Sequence, residues 1–120
     1  MYFVDRSIAV IKPKQPFLDW LNKLPDNEVT LTLEDIRSDC TVLMVPEVNE
    51  QEDGIAYVDD MADRIFEMEL ASWTQDDKLW PRVRNLKTFW DWFDVEIHTV
   101  LMDSVDQDIH NSPTADHGLH

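Results

Sequence analysis

The last third of the chain places two carboxylates and an imidazole at spacings that suit chemistry. Asp91, Asp94 and His98 follow one another at intervals of three and four residues, so on a helix they would share one stripe. These groups bind divalent metals, and a carboxylate can also orient a catalytic imidazole. The favoured interpretation is a surface ion pair, because the C-terminal half of a helix favours a cation and no HExxH or ExxH pattern supplies a further ligand. A metal site at these residues is the alternative hypothesis.

A second acidic row recurs every four residues. Asp59, Asp63 and Glu67 would stack one turn apart on a helix, where like charges slightly destabilise the helix. Such a row suits metal binding or mimicry of nucleic-acid phosphates. A solvated helix face is the simpler interpretation.

Five tryptophans accompany these acids. Trp20 and Trp90 occur at core spacing, whereas Trp73 and Trp80 stand at the two ends of a polar linker and Trp92 lies to one side of a predicted core face. Large aromatics in or beside irregular structure are typical of interface anchors. The sequence therefore predicts Trp73, Trp80 and Trp92 as partner contacts. Packing over the ends of a helix pair stays open as the alternative.

Two cations follow the second linker tryptophan. Arg82 and Arg84 alternate, so an extended backbone would place them on one side. Each guanidinium can bind a carboxylate of a partner, although pairing with the chain's own acidic helices is the favoured interpretation.

Other catalytic signatures do not occur in the sequence. The chain has two glycines and no Gly-x-Ser-x-Gly motif, which argues against a phosphate-binding loop or a hydrolase nucleophile. Its one cysteine, Cys40, lies in an apolar run beside Asp39, so we expect a buried, unreactive thiol. We predict no cofactor and favour a protein that is not an enzyme.

The charge limits the partners. The chain carries 25 acidic and 10 basic residues, for a net charge of −15. Residues 1–23 are mildly basic and the remainder is strongly acidic. Direct binding to nucleic acid or an anionic membrane is disfavoured, since both are polyanions, and a protein with a basic surface is the natural partner. We recognise no signal peptide and no apolar run of about 20 residues, so we predict a cytoplasmic protein.

Hydrophobic spacing predicts the elements that position these residues. Residues 28–36 alternate like an edge strand, which we favour, but Thr32 to Asp35 also resembles a capping box that opens a helical turn. The other predicted elements are a strand at 7–11, a helix at 16–23, a strand at 40–45, a helix at 55–72 and a helix at 86–104.

This order predicts a small two-layer α/β domain over residues 1–105, with α+β as the variant. Two strands, each buried on both faces, would be joined by a right-handed crossover in a mixed sheet of two or three strands. Two long helices and one short helix would cover the sheet. Residues 106–120 form a polar tail that we expect to be disordered.

Two segments resemble a group of small, acidic, uncharacterised bacterial proteins. They are Ser7-Ile-Ala-Val-Ile-Lys-Pro-Lys-Gln-Pro-Phe-Leu-Asp-Trp-Leu21, and Trp80-Pro81 together with Phe89-x-x-Trp92-Phe-Asp-x-Glu96-x-His98. The resemblance covers most of residues 7–103 and implies a soluble bacterial protein. It brings no established function and no functional residues.

Together these features predict a non-enzymatic interaction or regulatory protein. Its partner would bind an acidic, tryptophan-edged surface, and a homodimer is also compatible with the sequence. That predicted surface comprises Trp73, Trp80, Trp92, Arg82, Arg84, Asp59, Asp63 and Glu67. A metal-binding protein or metal-dependent enzyme and a nucleic-acid mimic are the alternatives.

Overall fold

A three-stranded antiparallel sheet forms the centre of residues 1–114, the part of the chain that the computed structural model describes. Its strands lie in the order β3 (Thr41–Pro46), β2 (Arg6–Pro13), β4 (Phe93–His98). Ala9 in the central strand lies opposite Leu43 on one side and Ile97 on the other. A separate two-stranded ribbon pairs β1 (Tyr2–Phe3) with β5 (Met102–Asp103).

The helices lie against one face of this sheet, and Asp77–Leu79 adds a 3₁₀ turn. The small two-layer class that combines helices with a sheet was predicted, and so were helices near 16–23 and 55–72. The α-helices of residues 1–114 are α1 (Gln15–Asn22), α2 (Leu33–Arg37), α3 (Gln51–Ala71) and α4 (Leu86–Trp92).

The predicted right-handed crossover and mixed sheet are wrong. Thr41 pairs with Ile11, so the chain returns to the sheet at the end where β2 leaves it, and β3 runs antiparallel. The connection between the two strands, residues 14–40, therefore begins and ends at the same end of the sheet.

The strands are also not buried on both faces as predicted. Ser7, Ala9, Ile11 and Pro13 of β2 are buried, and the residues between them are partly exposed. Within residues 1–114 no element covers the outer face of the sheet, and its exposed apolar residues include Val42 at 56% and Met44 at 52%.

Where we favoured a short edge strand followed by a turn, residues 28–32 form neither helix nor strand and Leu33–Arg37 forms a short helix. The Thr32 hydroxyl accepts a hydrogen bond from the backbone N–H of Asp35 at 3.2 Å, and the Asp35 carboxylate accepts one from the N–H of Thr32 at 2.8 Å. The hydrogen bond from the Thr32 backbone N–H, helped by the Thr32 side chain, lowers the pKa of the Asp35 carboxyl. The capping box therefore decided the local structure, as the alternative interpretation proposed.

The predicted helix at 86–104 is wrong after its first two turns. α4 ends at Trp92, and the chain continues directly into β4. Phe93, Val95 and Ile97 alternate with polar residues, which is a strand pattern. Pairing along the edge of β2 supplies the backbone hydrogen bonds that a helix would otherwise provide.

An aromatic cluster fills the space between the helices and the inner sheet face. Phe17, Phe66, Phe89 and Phe93 are each at most 1% exposed, and the Phe66 and Phe93 rings meet edge to face with centroids 5.4 Å apart. This geometry suits the aromatic quadrupole. The cluster fixes α1, α3 and α4 against the sheet.

Candidate docking site around Trp73

The residues of the predicted metal site lie on two different elements. Asp91 is in the last turn of α4, where its carboxylate pairs with Lys87 Nζ at 2.9 Å. Asp94 and His98 lie on the outer face of β4, and four residues of strand separate them by about 13 Å. Asp94 lies 3.4 Å from Arg37.

A shared helical stripe of Asp91, Asp94 and His98 is therefore wrong. Within residues 1–114 there is no group of three or more His, Cys, Asp or Glu side chains that could hold a metal ion. No observation in this part of the chain supports the metal hypothesis.

The acidic row of α3 is partly engaged within the domain. Asp59 accepts a hydrogen bond from Trp90 Nε1 at 2.8 Å, and Glu67 lies 4.0 Å from an Arg84 nitrogen. Asp63 is exposed between them. We favoured internal pairing for both Arg82 and Arg84. Arg84 pairs with Glu67 in this way, whereas Arg82 is exposed.

Two of the three predicted anchor tryptophans are internal. Trp80 is 5% exposed, its indole donates to the Thr74 carbonyl at 3.0 Å, and the Arg84 guanidinium lies over its ring. Trp92 is half-buried and packs on Phe66 with ring centroids 5.3 Å apart. Trp80 is internal because the segment after α3 folds back onto the core, and Trp92 at the end of α4 is partly covered by the aromatic cluster.

Trp73 differs from both. It lies just beyond the end of α3 and is 47% exposed, and its backbone N–H bonds the Leu70 carbonyl at 3.1 Å. Two hollows adjoin its side chain, with volumes of about 250 and 270 Å³. The first, here the Leu24 hollow, has walls of Leu21, Leu24, Pro25, Asp26 and Leu79. The second, the Glu69 hollow, has walls of Phe17, Ile36, Asp39, Cys40, Thr41 and Glu69.

Polar contacts fix the Leu24 hollow. Trp20 Nε1 donates to the Leu79 carbonyl at 2.8 Å, which ties α1 to the 3₁₀ turn. The Asn22 amide exchanges two 3.0 Å hydrogen bonds with the backbone of Leu31, and Asn27 donates to the Leu21 carbonyl at 3.2 Å. These bonds hold the loop after α1 in place.

The Glu69 hollow contains a carboxyl group in an unusual position. On α3, Glu69 continues the core-facing series Val58, Ala62 and Ile65 at helical spacing. Its Oε1 atom is buried and has no hydrogen-bond partner within the described part of the chain. Burial raises the pKa of Glu69, and a hydrogen bond with the Thr41 side chain partly opposes that shift.

Glu69 was not among the predicted site residues. The signal was available, since an acid stands four residues after Ile65 and seven after Ala62 on the apolar stripe. Cys40 is half-buried at the wall of the same hollow, whereas the sequence predicted a buried thiol.

Both hollows are acidic. Among the described residues, their walls include Asp26, Asp39 and Glu69 and no Lys, Arg or His. Carboxylates set among apolar walls favour a cationic group that also carries apolar surface.

A larger concavity of about 560 Å³ lies between the β1–β5 ribbon and residues 105–108. None of the residues around it is buried, so it offers no desolvated group for recognition. Of the two regions, the surroundings of Trp73 are the better candidate site.

Comparisons with protein-family models, with curated proteins and with solved structures gave no match. Among residues 1–114, no helix has both the length and the apolar character needed to cross a membrane.

Proposed function

We propose that this chain is a non-enzymatic, cytoplasmic interaction or regulatory protein that binds a partner protein with a basic surface. The docking site is Trp73 with the Leu24 and Glu69 hollows. One observation supports this proposal above the others: a tryptophan that is 47% exposed stands between two hollows whose walls, within residues 1–114, include carboxylates and no basic side chain.

The two features of the site have separate physical roles. The net charge of −15 attracts a basic partner over roughly a Debye length, about 8 Å at physiological salt. Trp73 supplies the short-range contact, and an interface tryptophan typically contributes about 2 kcal/mol or more to binding. A partner Lys or Arg can also stack on the indole face.

Site-specific crosslinking tests this assignment. A photoreactive benzoylphenylalanine replaces Trp73 in one variant and Leu86 in another, and both are irradiated in lysate of the source cells. Leu86 is a matched control because it is 45% exposed but lines neither hollow. We expect a discrete crosslinked protein at position 73 and none at position 86.

Salt and mass identify the kind of partner. The crosslink is expected at about 0.01 M salt and to fade at about 0.5 M, because screening shortens the electrostatic range. A dimeric mass in sedimentation that Trp73→Ala converts to monomer would identify the partner as a second copy. No crosslink at position 73, or equal crosslinks at both positions, would contradict the proposal.

A further inference from the structure

We propose that the Glu69 hollow receives one lysine side chain of the partner, with its ammonium group on the Glu69 carboxylate. This inference rests on the proposed function and names the group that the site recognises. It begins from the Oε1 atom of Glu69, a buried acceptor with no hydrogen-bond partner among the described residues. Buried polar atoms in native proteins are nearly always hydrogen-bonded, so an unpaired one requires an explanation.

The size of the hollow favours a side chain over a small-molecule ligand. Its volume of about 270 Å³ lies below the roughly 300–1,000 Å³ of typical small-molecule sites. Phe17, Ile36 and Trp73 provide apolar walls, which match the aliphatic stem of a lysine.

The polar groups favour an ammonium over a guanidinium. Arginine pairs best when its planar fork reaches both oxygens of a carboxylate. Of the two Glu69 carboxyl oxygens, Oε1 is the buried atom without a hydrogen-bond partner among the described residues, so a single donor is enough to satisfy it. A lysine ammonium has three donors around a point charge, and Asp39 at the wall of the hollow adds a second carboxylate for it.

Binding requires a small rearrangement. Because Oε1 is shielded from solvent in the unbound protein, the Glu69 carboxyl must turn toward the hollow when the ammonium enters. Trp73 borders this path and is half-exposed, so its indole is expected to respond as well. The Trp73 indole N–H is therefore the natural reporter.

The test adds a lysine probe to the ¹⁵N-labelled full chain and follows its NMR spectrum. The probe is Nα-acetyl-lysine N-methylamide, whose side-chain ammonium is free. We expect saturable shifts of the Trp73 indole N–H and of the Thr41 and Glu69 amides. The norleucine analogue lacks the charge and the arginine analogue has a planar fork, and both are expected to bind about tenfold more weakly. Equal shifts with norleucine, or no shifts with lysine, would overturn the lysine pocket.

Two substitutions of Glu69 test whether its carboxylate binds the lysine. Glu69→Gln removes the charge and Glu69→Asp withdraws the carboxylate, so each is expected to weaken lysine binding about tenfold. Asp63→Asn is the control for Glu69→Gln. Asp63 lies exposed on the same helix, and both substitutions remove one negative charge. Unchanged affinity in both Glu69 variants would refute the inference.

The crosslinking experiment distinguishes the inference from the function on which it rests. A salt-sensitive crosslink at position 73 without any lysine response at Glu69 would leave the docking function standing and remove the lysine pocket. Loss of both signals would contradict both.

Discussion

At the scale of single residues, Glu69 introduces charge where α3 otherwise presents apolar side chains to the core. Val58, Ala62 and Ile65 on the same stripe are at most 4% exposed. A carboxylate in this position is held at a cost in stability, since burial penalises its charged form. Natural proteins tend to accept such a cost at functional sites, which is consistent with a recognition role for the hollow.

The raised pKa of Glu69 predicts the direction in which the free energy of unfolding changes with pH. A carboxyl whose pKa is higher in the folded than in the unfolded state contributes stability below its unfolded pKa, and this is lost as pH rises through the folded pKa. We therefore expect Glu69→Gln to gain stability relative to the natural protein as pH rises from 4.5, the ordinary value of a glutamate. Urea unfolding between pH 4 and pH 8 measures the difference. A difference that is flat with pH, or the same trend in Asp63→Asn, would contradict this assignment.

Two tryptophans seven residues apart have opposite roles and should respond differently to substitution. Trp80→Ala removes a side chain that is 5% exposed and a hydrogen bond to Thr74, so the expected loss is about 3–5 kcal/mol of unfolding free energy. Trp73→Ala removes a half-exposed side chain, and the expected loss is below about 1 kcal/mol. Denaturant titration of both variants provides the comparison. Similar losses would argue against Trp73 as a surface available for docking.

At the scale of elements, the sequence predicts those segments whose hydrophobic pattern fits one structure only. The apolar run at 7–11 and the long amphipathic pattern at 55–72 lie in β2 and α3. The region after Trp92 was misassigned because Phe89, Phe93 and Ile97 recur every four residues, as in a helix, while 93, 95 and 97 also alternate. The free edge of β2 decides between these patterns, and that edge is a tertiary feature.

The candidate site was predictable in part. Trp73 was identified because it follows a helix and precedes a polar segment. Trp80 was misjudged because nothing local indicates that the linker folds back, although its hydrogen bond to the Thr74 carbonyl is a short-range contact. Glu69 needed closer attention to one position of a helical stripe.

α3 and β4 approach so closely at Gly54 that any larger residue there would force the Ile97 side chain to move. A Cβ on Gly54 would lie 2.6 Å from Ile97 Cγ2, whose side chain is itself buried. Alanine normally stabilises a helix by about 1 kcal/mol over glycine, but overpacking costs about 1–3 kcal/mol. Gly54→Ala is therefore expected to lower the free energy of unfolding, by about 1 kcal/mol. Thermal or urea unfolding that shows a gain would mean that the two elements separate easily.

At the scale of the whole molecule, the excess of acid affects folding and binding in opposite directions. A net charge of −15 repels itself within a compact domain. The same charge attracts a basic partner. Both effects are screened by salt, so one measurement series addresses both.

We expect salt to stabilise the fold and to weaken docking. Raising sodium chloride from about 0.01 to about 0.5 M should increase the free energy of unfolding, because screening reduces repulsion among the carboxylates. Over the same range the crosslink at position 73 should fade. Parallel changes, with folding and binding both strengthened, would indicate that docking is mainly apolar.

The two ends of the central strand β2 lie beside different features, the surface around Trp73 at one end and the β1–β5 ribbon at the other. Trp73 and its hollows lie near Pro13 and Thr41, whereas the β1–β5 ribbon lies beyond Arg6, where Val4 bonds Leu101. Eight residues of β2 hold these ends about 26 Å apart. The ribbon can therefore be labelled or attached to a support while the surface around Trp73 stays accessible to a partner. The ribbon and the surface around Trp73 are therefore separate surfaces at opposite ends of the central strand.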